Sequence, residues 1–293
     1  MRGIFSALIV CLAMSAAAPA FASELLRLSF PSAVLQHDVS YLVYIPDDYR
    51  SGTKRYPVLY LLHGAGGDET AWLERGHIKD HADRLIAAGE IPPAIIVMPG
   101  CPGCWWVDGA KDKGETAFWS DVVPAIEQGY RTQQSRLGRL IAGVSAGGYG
   151  AIRFAMKYPD RIAAVAALSP AIYSVTPPSL SSARRDPAFL RADGQFNQSL
   201  WSAENYPRLS AGYFAQPNRV PIYLATGDRD ELGIAYETLQ LFNILSERQP
   251  LQVELNLVEG RHDWNVWGAT LDDAMRYIFR YTRRDHASMG PRL

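Results

Sequence analysis

A serine stands among four glycines, Gly143, Gly147, Gly148 and Gly150, in the stretch IAGVSAGGYGAI at 141–152. The pattern G-x-S-x-G around Ser145 follows a short apolar run and precedes a helical pattern. A sharp strand-to-helix turn that exposes a nucleophilic hydroxyl needs such neighbours, because its backbone is strained and crowded. With 24 glycines in the chain the pattern can also arise by chance, so other residues must decide. A serine hydroxyl is a weak nucleophile at neutral pH and needs a base, normally a histidine held by a carboxylate. Of the six histidines, His37, His77, His81 and His286 fall in loops, a helix or the tail, whereas His63 and His262 follow expected strand ends. His262, in VEGRHDWNVW after the last expected strand, suits the chain order serine, acid, histidine. For the acid, the expected strand VPIYLATG at 220–227 ends in DRD, so Asp228 and Asp230 compete, one of them being a turn former or helix cap. An oxyanion needs two backbone donors. Ala146, next to the serine, supplies one, and Ala65, in the glycine-rich LLHGAGGDETAW, supplies the other, with His63 structural. The His77-x-x-x-His81 spacing lacks a further nearby ligand and reads as a helix surface, so no metal is expected.

Those residues must be held at strand ends, and the chain supplies the strands. Apolar runs at 39–46, 56–64, 94–100, 139–145, 163–169, 220–227 and 251–260 alternate with helical patterns at about 70–89, 117–130, 146–158, 231–247 and 267–282. This rhythm predicts an α/β fold, a mostly parallel sheet with helices on both faces, and ligands bind such sheets beyond the carboxyl ends of the strands. The run at 39–46 alternates more than the others and is expected to be an antiparallel edge. Residues 171–218, rich in Pro, Ser, Asn and Arg, break the rhythm and are expected to leave the sheet as an irregular excursion. One domain is expected from residue 23, with a loose tail from about 285.

The 293 residues are 48% hydrophobic and 20% charged, with 29 basic against 30 acidic side chains, a globular composition without the charge excess that draws nucleic acid or an anionic membrane. The first 22 residues have Arg2, an apolar stretch and an Ala20-Phe21-Ala22 ending, which read as a signal peptide cleaved after Ala22. Its apolar stretch falls short of the roughly 20 residues that span a bilayer, so no membrane anchor is expected after cleavage. The reading places the protein in the periplasm or outside the cell. In an oxidising compartment the remaining cysteines, Cys101 and Cys104, are expected to pair with each other.

The segments YLLHGAGGDETAWLERG, IIVMPG followed by WWVDG, GVSAGGYGA with FAMKYPDRIAAVAALSPA, TGDRD and RHDWNVW together resemble the putative-esterase family of α/β-hydrolases over about 35–282. That family includes esterase D types, feruloyl esterases and mycolyltransferases, and GRHDWNVW is most similar to the feruloyl branch. The resemblance implies an α/β-hydrolase fold and an exported serine carboxylesterase acting on feruloyl or other carbohydrate-linked acyl esters, without a cofactor. It makes Ser145 the nucleophile, His262 the base and Asp230, three residues beyond Gly227, the acid. A mycolyltransferase-type acyl transfer would use the same triad. A non-catalytic binding module, the remaining alternative, would be expected to lose a triad member. CPGC and the 171–218 excursion depart from the family pattern. Trp105, Trp106 and Trp264 are expected to line the substrate pocket, since aromatic faces suit a planar acyl group, while Trp267 is expected to pack.

Overall fold

In the computed structural model, which describes residues 23–101, 103–109 and 113–282, the apolar runs assemble into an eight-stranded sheet. The strands are β1 (Glu24–Ser32), β2 (His37–Ile45), β3 (Val58–Leu62), β4 (Ile95–Pro99), β5 (Arg139–Val144), β6 (Ala164–Leu168), β7 (Ile222–Gly227) and β8 (Val253–Val258), in the order β1-β2-β4-β3-β5-β6-β7-β8. β2 runs antiparallel to both β1 and β4, and the remaining pairings are parallel. The segment read as a signal peptide and the tail from 285 lie outside the described residues.

β3 to β7 are apolar nearly throughout because both sheet faces are covered there, whereas edge strand β8, VELNLV, is only half-buried. Side chains alternate between the faces: Val58, Tyr60 and Leu62 join the layer of Phe118, Ile152 and Leu241, whereas Leu59 and Leu61 join the layer of Ile78, Leu271 and Met275. Among the described residues the helices are α1 (Ala71–Glu74), α2 (Ile78–Ala87), α3 (Gly114–Ala117), α4 (Val123–Gly129), α5 (Ala146–Lys157), α6 (Gln198–Ala203), α7 (Tyr206–Ala215), α8 (Ile234–Arg248) and α9 (Trp264–Phe279).

Two expectations change. The run at 39–46 is antiparallel, as β2, but it is not the edge, because all nine residues of β1 pair along its outer side. β1 escaped notice because an outer strand is wetted on much of its surface: ELLRLSFPS mixes Arg27 and Ser29 with exposed Leu26 and Leu28 and has no continuous apolar run. The excursion, for its part, is built. Phe189, Trp201, Tyr206 and Tyr213 are buried, and Asn197 and Asn205 cap α6 and α7 by accepting bonds from the Leu200 and Tyr206 N–H groups. Buried Arg153 of α5 ties this segment to the sheet, donating to the Glu204 and Trp106 carbonyls at 2.8 and 3.0 Å and pairing with the Glu115 carboxylate at 2.7 Å.

Candidate active site

β5 ends at Val144 and α5 begins at Ala146, so a single residue, Ser145, turns the chain. It does so at φ 54° and ψ −115°, a conformation L-residues seldom adopt. The glycines make room for the turn. A Cβ on Gly143 would lie 2.2 Å from the Gly147 carbonyl oxygen, and one on Gly147 would lie 2.1 Å from the Leu62 carbonyl oxygen. The strand-end serine is thereby pressed against the loop that follows β3.

The carboxyl ends of β7 and β8 bring two further side chains to the serine. Nδ1 of His262 lies 2.7 Å from Asp230 Oδ2, and its Nε2 lies 2.9 Å from Ser145 Oγ. A carboxylate only accepts, so Nδ1–H donates to Asp230 and Nε2 is left to accept from the serine hydroxyl. The Asp230 side chain is fully buried, and its Oδ1 accepts the Leu232 N–H at 3.0 Å. Asp228 instead accepts the Gly260 N–H at 2.9 Å and shapes the turn between β7 and the His262 loop. The ring of His262 meets the Trp267 ring edge-on at 5.2 Å.

Ala146 directly follows Ser145 in the chain, and Ala65 lines the same cleft as the serine. Ala146 is the first residue of α5, where an amide has no intrahelical acceptor. A Cβ on neighbouring Gly64 would come within 3.3 Å of Ser145 Cβ, so the Ala65 loop passes directly beside the hydroxyl. His63 braces that loop from beneath. It is 1% exposed, donates from Nδ1 to the Gly64 carbonyl at 2.9 Å and accepts the Cys101 N–H on Nε2 at 3.1 Å. Cys101 and Cys104 are joined by a disulfide, with Cα atoms 5.5 Å apart. Burial lowers the pKa of His63, keeping it in the neutral form these two bonds require.

Ser145 and His262 open into a cleft of about 670 Å³. Trp264 lines it, held edge-on against Trp72 at 5.3 Å and against Trp267 at 5.0 Å. Trp105 and Trp106 do not, which corrects the expectation for both. Trp105 is 1% exposed and packs against Tyr149, Phe189 and Trp201, while Trp106, equally buried, donates its indole N–H to the His63 carbonyl. Both follow a strand end, but their rings fill the space beneath the loop instead of the space above it. Trp267, expected only to pack, lines the cleft while donating to Ser169 Oγ at 3.0 Å. Sequence reasoning missed Leu180, Ser182, Arg185 and Pro187, which the excursion brings to the cleft wall, and also Arg75 and Leu232. Only Arg75 lay within a motif, AWLERG, that could have drawn attention to it. Among the described residues no group of three or more His, Cys, Asp or Glu side chains could hold a metal ion, and His81 instead pairs with Asp272 at 2.6 Å. No helix among them is long and apolar enough to cross a membrane.

Comparison with known proteins agrees in family and fold. A model of the family described as "Putative esterase" matches residues 32–278. An esterase of Mycobacterium tuberculosis is 36% identical over 134 residues, 43% of this chain, and the matched region covers only 28% of that longer protein. An acetyl esterase of Caldicellulosiruptor saccharolyticus is 24% identical over 270 residues, 87% of this chain and 97% of its own. The solved structure of a ferulic acid esterase superimposes with a TM-score of 0.75 at 27% identity, covering 90% of this chain and 100% of that one. The fold is that of the α/β-hydrolases, and the chain belongs to the Putative esterase family.

Proposed function

We propose that the protein is an exported serine carboxylesterase. The observation that carries this reading is the continuous relay from Asp230 through His262 to Ser145, at 2.7 and 2.9 Å, opening on the cleft. His262 takes the hydroxyl proton as Ser145 attacks the ester carbonyl, and Asp230 holds the ring in the correct tautomer and stabilises the imidazolium. The N–H groups of Ala65 and Ala146 donate hydrogen bonds to the developing oxyanion in a setting that needs no reorganisation. His262 then returns the proton to the leaving alcohol, and a water activated by the same ring hydrolyses the acyl-enzyme. Every step uses only these groups and water.

The substrates in this reading are small or carbohydrate-linked acyl esters, with Trp264 as the flat face against which a feruloyl-type group stacks. The acetyl esterase and ferulic acid esterase relatives support that class. The signal-like N-terminal segment, outside the described residues, supports export. The test is hydrolysis of 4-nitrophenyl butyrate and methyl ferulate by purified protein. Ser145→Ala and His262→Ala are each expected to lower kcat by about 10⁴–10⁶-fold, and full activity in Ser145→Ala would refute the mechanism.

A further inference from the structure

The cleft carries two arginines that the ester chemistry above does not use. Arg75 follows α1, and Arg185 stands on the excursion; both line the cleft that holds Ser145 and His262. Several arginines elsewhere pair with carboxylates, Arg27 with Glu69, Arg84 with Asp272, Arg139 with Glu127 and Arg153 with Glu115, while others are spent on backbone carbonyls, as Arg136 is on those of Pro159 and Arg219. Among the described residues neither Arg75 nor Arg185 has a carboxylate partner. Arg185 spends one N–H on the Ser179 carbonyl at 3.1 Å, and Arg75 lies over the Trp264 ring with its guanidinium carbon 5.3 Å from the centroid.

The cleft lining also holds two carboxylates, Asp186 and Asp263, which keep their charge but are held by backbone donors. Asp263 Oδ1 accepts the N–H groups of Asn265 and Val266 and so caps α9, while Asp186 Oδ1 accepts the Ala188 N–H at 3.0 Å. The cation–π contact with Trp264 restrains the Arg75 guanidinium at the cleft wall, which lowers the entropy cost of meeting a carboxylate. Trp264 also touches Trp267, whose ring contacts His262, so this cationic platform is packed against the proposed base. We propose that the cleft selects an ester that itself carries a carboxylate, read by Arg75 and Arg185. The proposal rests on the esterase reading and adds the substrate's charge to it.

The test pairs probes that differ in charge. 4-Nitrophenyl hydrogen adipate against 4-nitrophenyl hexanoate places the carboxylate on the acyl side; 4-acetoxybenzoate against its methyl ester places it on the alcohol side. In each pair the quantity read is the ratio of kcat/KM for the charged probe to that for the neutral one, compared between unaltered protein and variant, so that leaving-group differences cancel. In at least one pair, Arg75→Gln and Arg185→Gln are each expected to lower the ratio about 3- to 10-fold, the double variant more, and Arg→Lys to restore part of it. The pair that responds identifies the side of the ester that bears the charge. In the unaltered protein that ratio should also fall as salt is raised from about 0.01 to 0.5 M, since screening weakens exposed charge pairs. Ratios unmoved by the substitutions and by salt, with the neutral probes hydrolysed, would overturn the carboxylate selection and leave the esterase standing. Failure to hydrolyse any probe would overturn the esterase reading and this proposal with it.

Discussion

Asp228 and Asp230 share one short loop but meet different partners, and this difference can be measured. Asp230 is buried against His262 Nδ1, while Asp228 serves a backbone N–H at the surface. Asp230→Asn is expected to lower kcat about 10⁴-fold by favouring the wrong histidine tautomer, whereas Asp228→Asn keeps an acceptor for Gly260 and should cost less than about tenfold. The reverse ranking would move the acid to Asp228. His63 gives a pH dependence of defined sign. Burial holds its pKa below the ordinary 6.5, outweighing the bond to Gly64 that acts to raise it. The unfolded chain therefore takes up a proton that the folded one refuses, and stability falls as pH drops below 6.5 towards the lowered value. Melting temperature should decline more steeply between about pH 6.5 and 5 in the unaltered protein than in His63→Asn; equal slopes would remove His63 as the cause. At this scale the sequence was most legible where chemistry and strand ends coincide, as at Ser145, His262 and the Asp228–Asp230 pair. It misled at Trp105 and Trp106, because the position of an aromatic residue just past a strand does not say whether its ring turns into the core or the cleft.

Secondary-structure elements were legible in proportion to how thoroughly the sheet buries them. β3 through β7 announce themselves as apolar runs, and α5 and α9 follow from helical patterning with small or capping residues at their starts. β1 and the excursion did not, because each is stabilised by partners distant in sequence instead of by its own periodicity. Arg153 is the clearest of those partners. Burial acts to raise the pKa of Glu115, but the charge of Arg153 and bonds from Lys157 and Tyr158 hold it below its ordinary value. Removing the arginine alone would take the buried partner from that carboxylate, leaving it Lys157 and Tyr158, and free the Glu204 and Trp106 carbonyls together. Arg153→Met is expected to cost about 3–5 kcal/mol in urea unfolding, and adding Glu115→Gln should recover part of the loss. If the double variant is no more stable than the single one, the Glu115 carboxylate is not what makes the loss of Arg153 costly.

Taken as a molecule, the protein draws its proposed reacting groups from the ends of β3, β5, β7 and β8, so that site exists only when the central sheet is complete. β1 lies far from the nucleophile in strand order, yet it reaches the site through one contact: Arg27 donates to Glu69, which is 4% exposed just after the loop that carries Ala65. The N-terminal boundary is therefore a functional question. Cleavage after Ala22 would leave Ser23, whose hydroxyl accepts a bond from Lys79 at 2.8 Å, followed at once by the first paired residue, Glu24. On the export reading, a chain begun at Ser23 should melt and hydrolyse esters as the product matured in the native host does, and intact mass of that product should place its first residue at Ser23. A product that retains Met1 would sink the export reading. A chain begun at Val34 loses the whole β1 pairing and leaves the Glu69 carboxylate without Arg27; it should melt about 10 °C lower or more. If it also loses kcat at temperatures where it remains folded, the defect has reached the Ala65 loop through Glu69. A kcat unchanged at those temperatures would mean that β1 guards the edge of the sheet and nothing more.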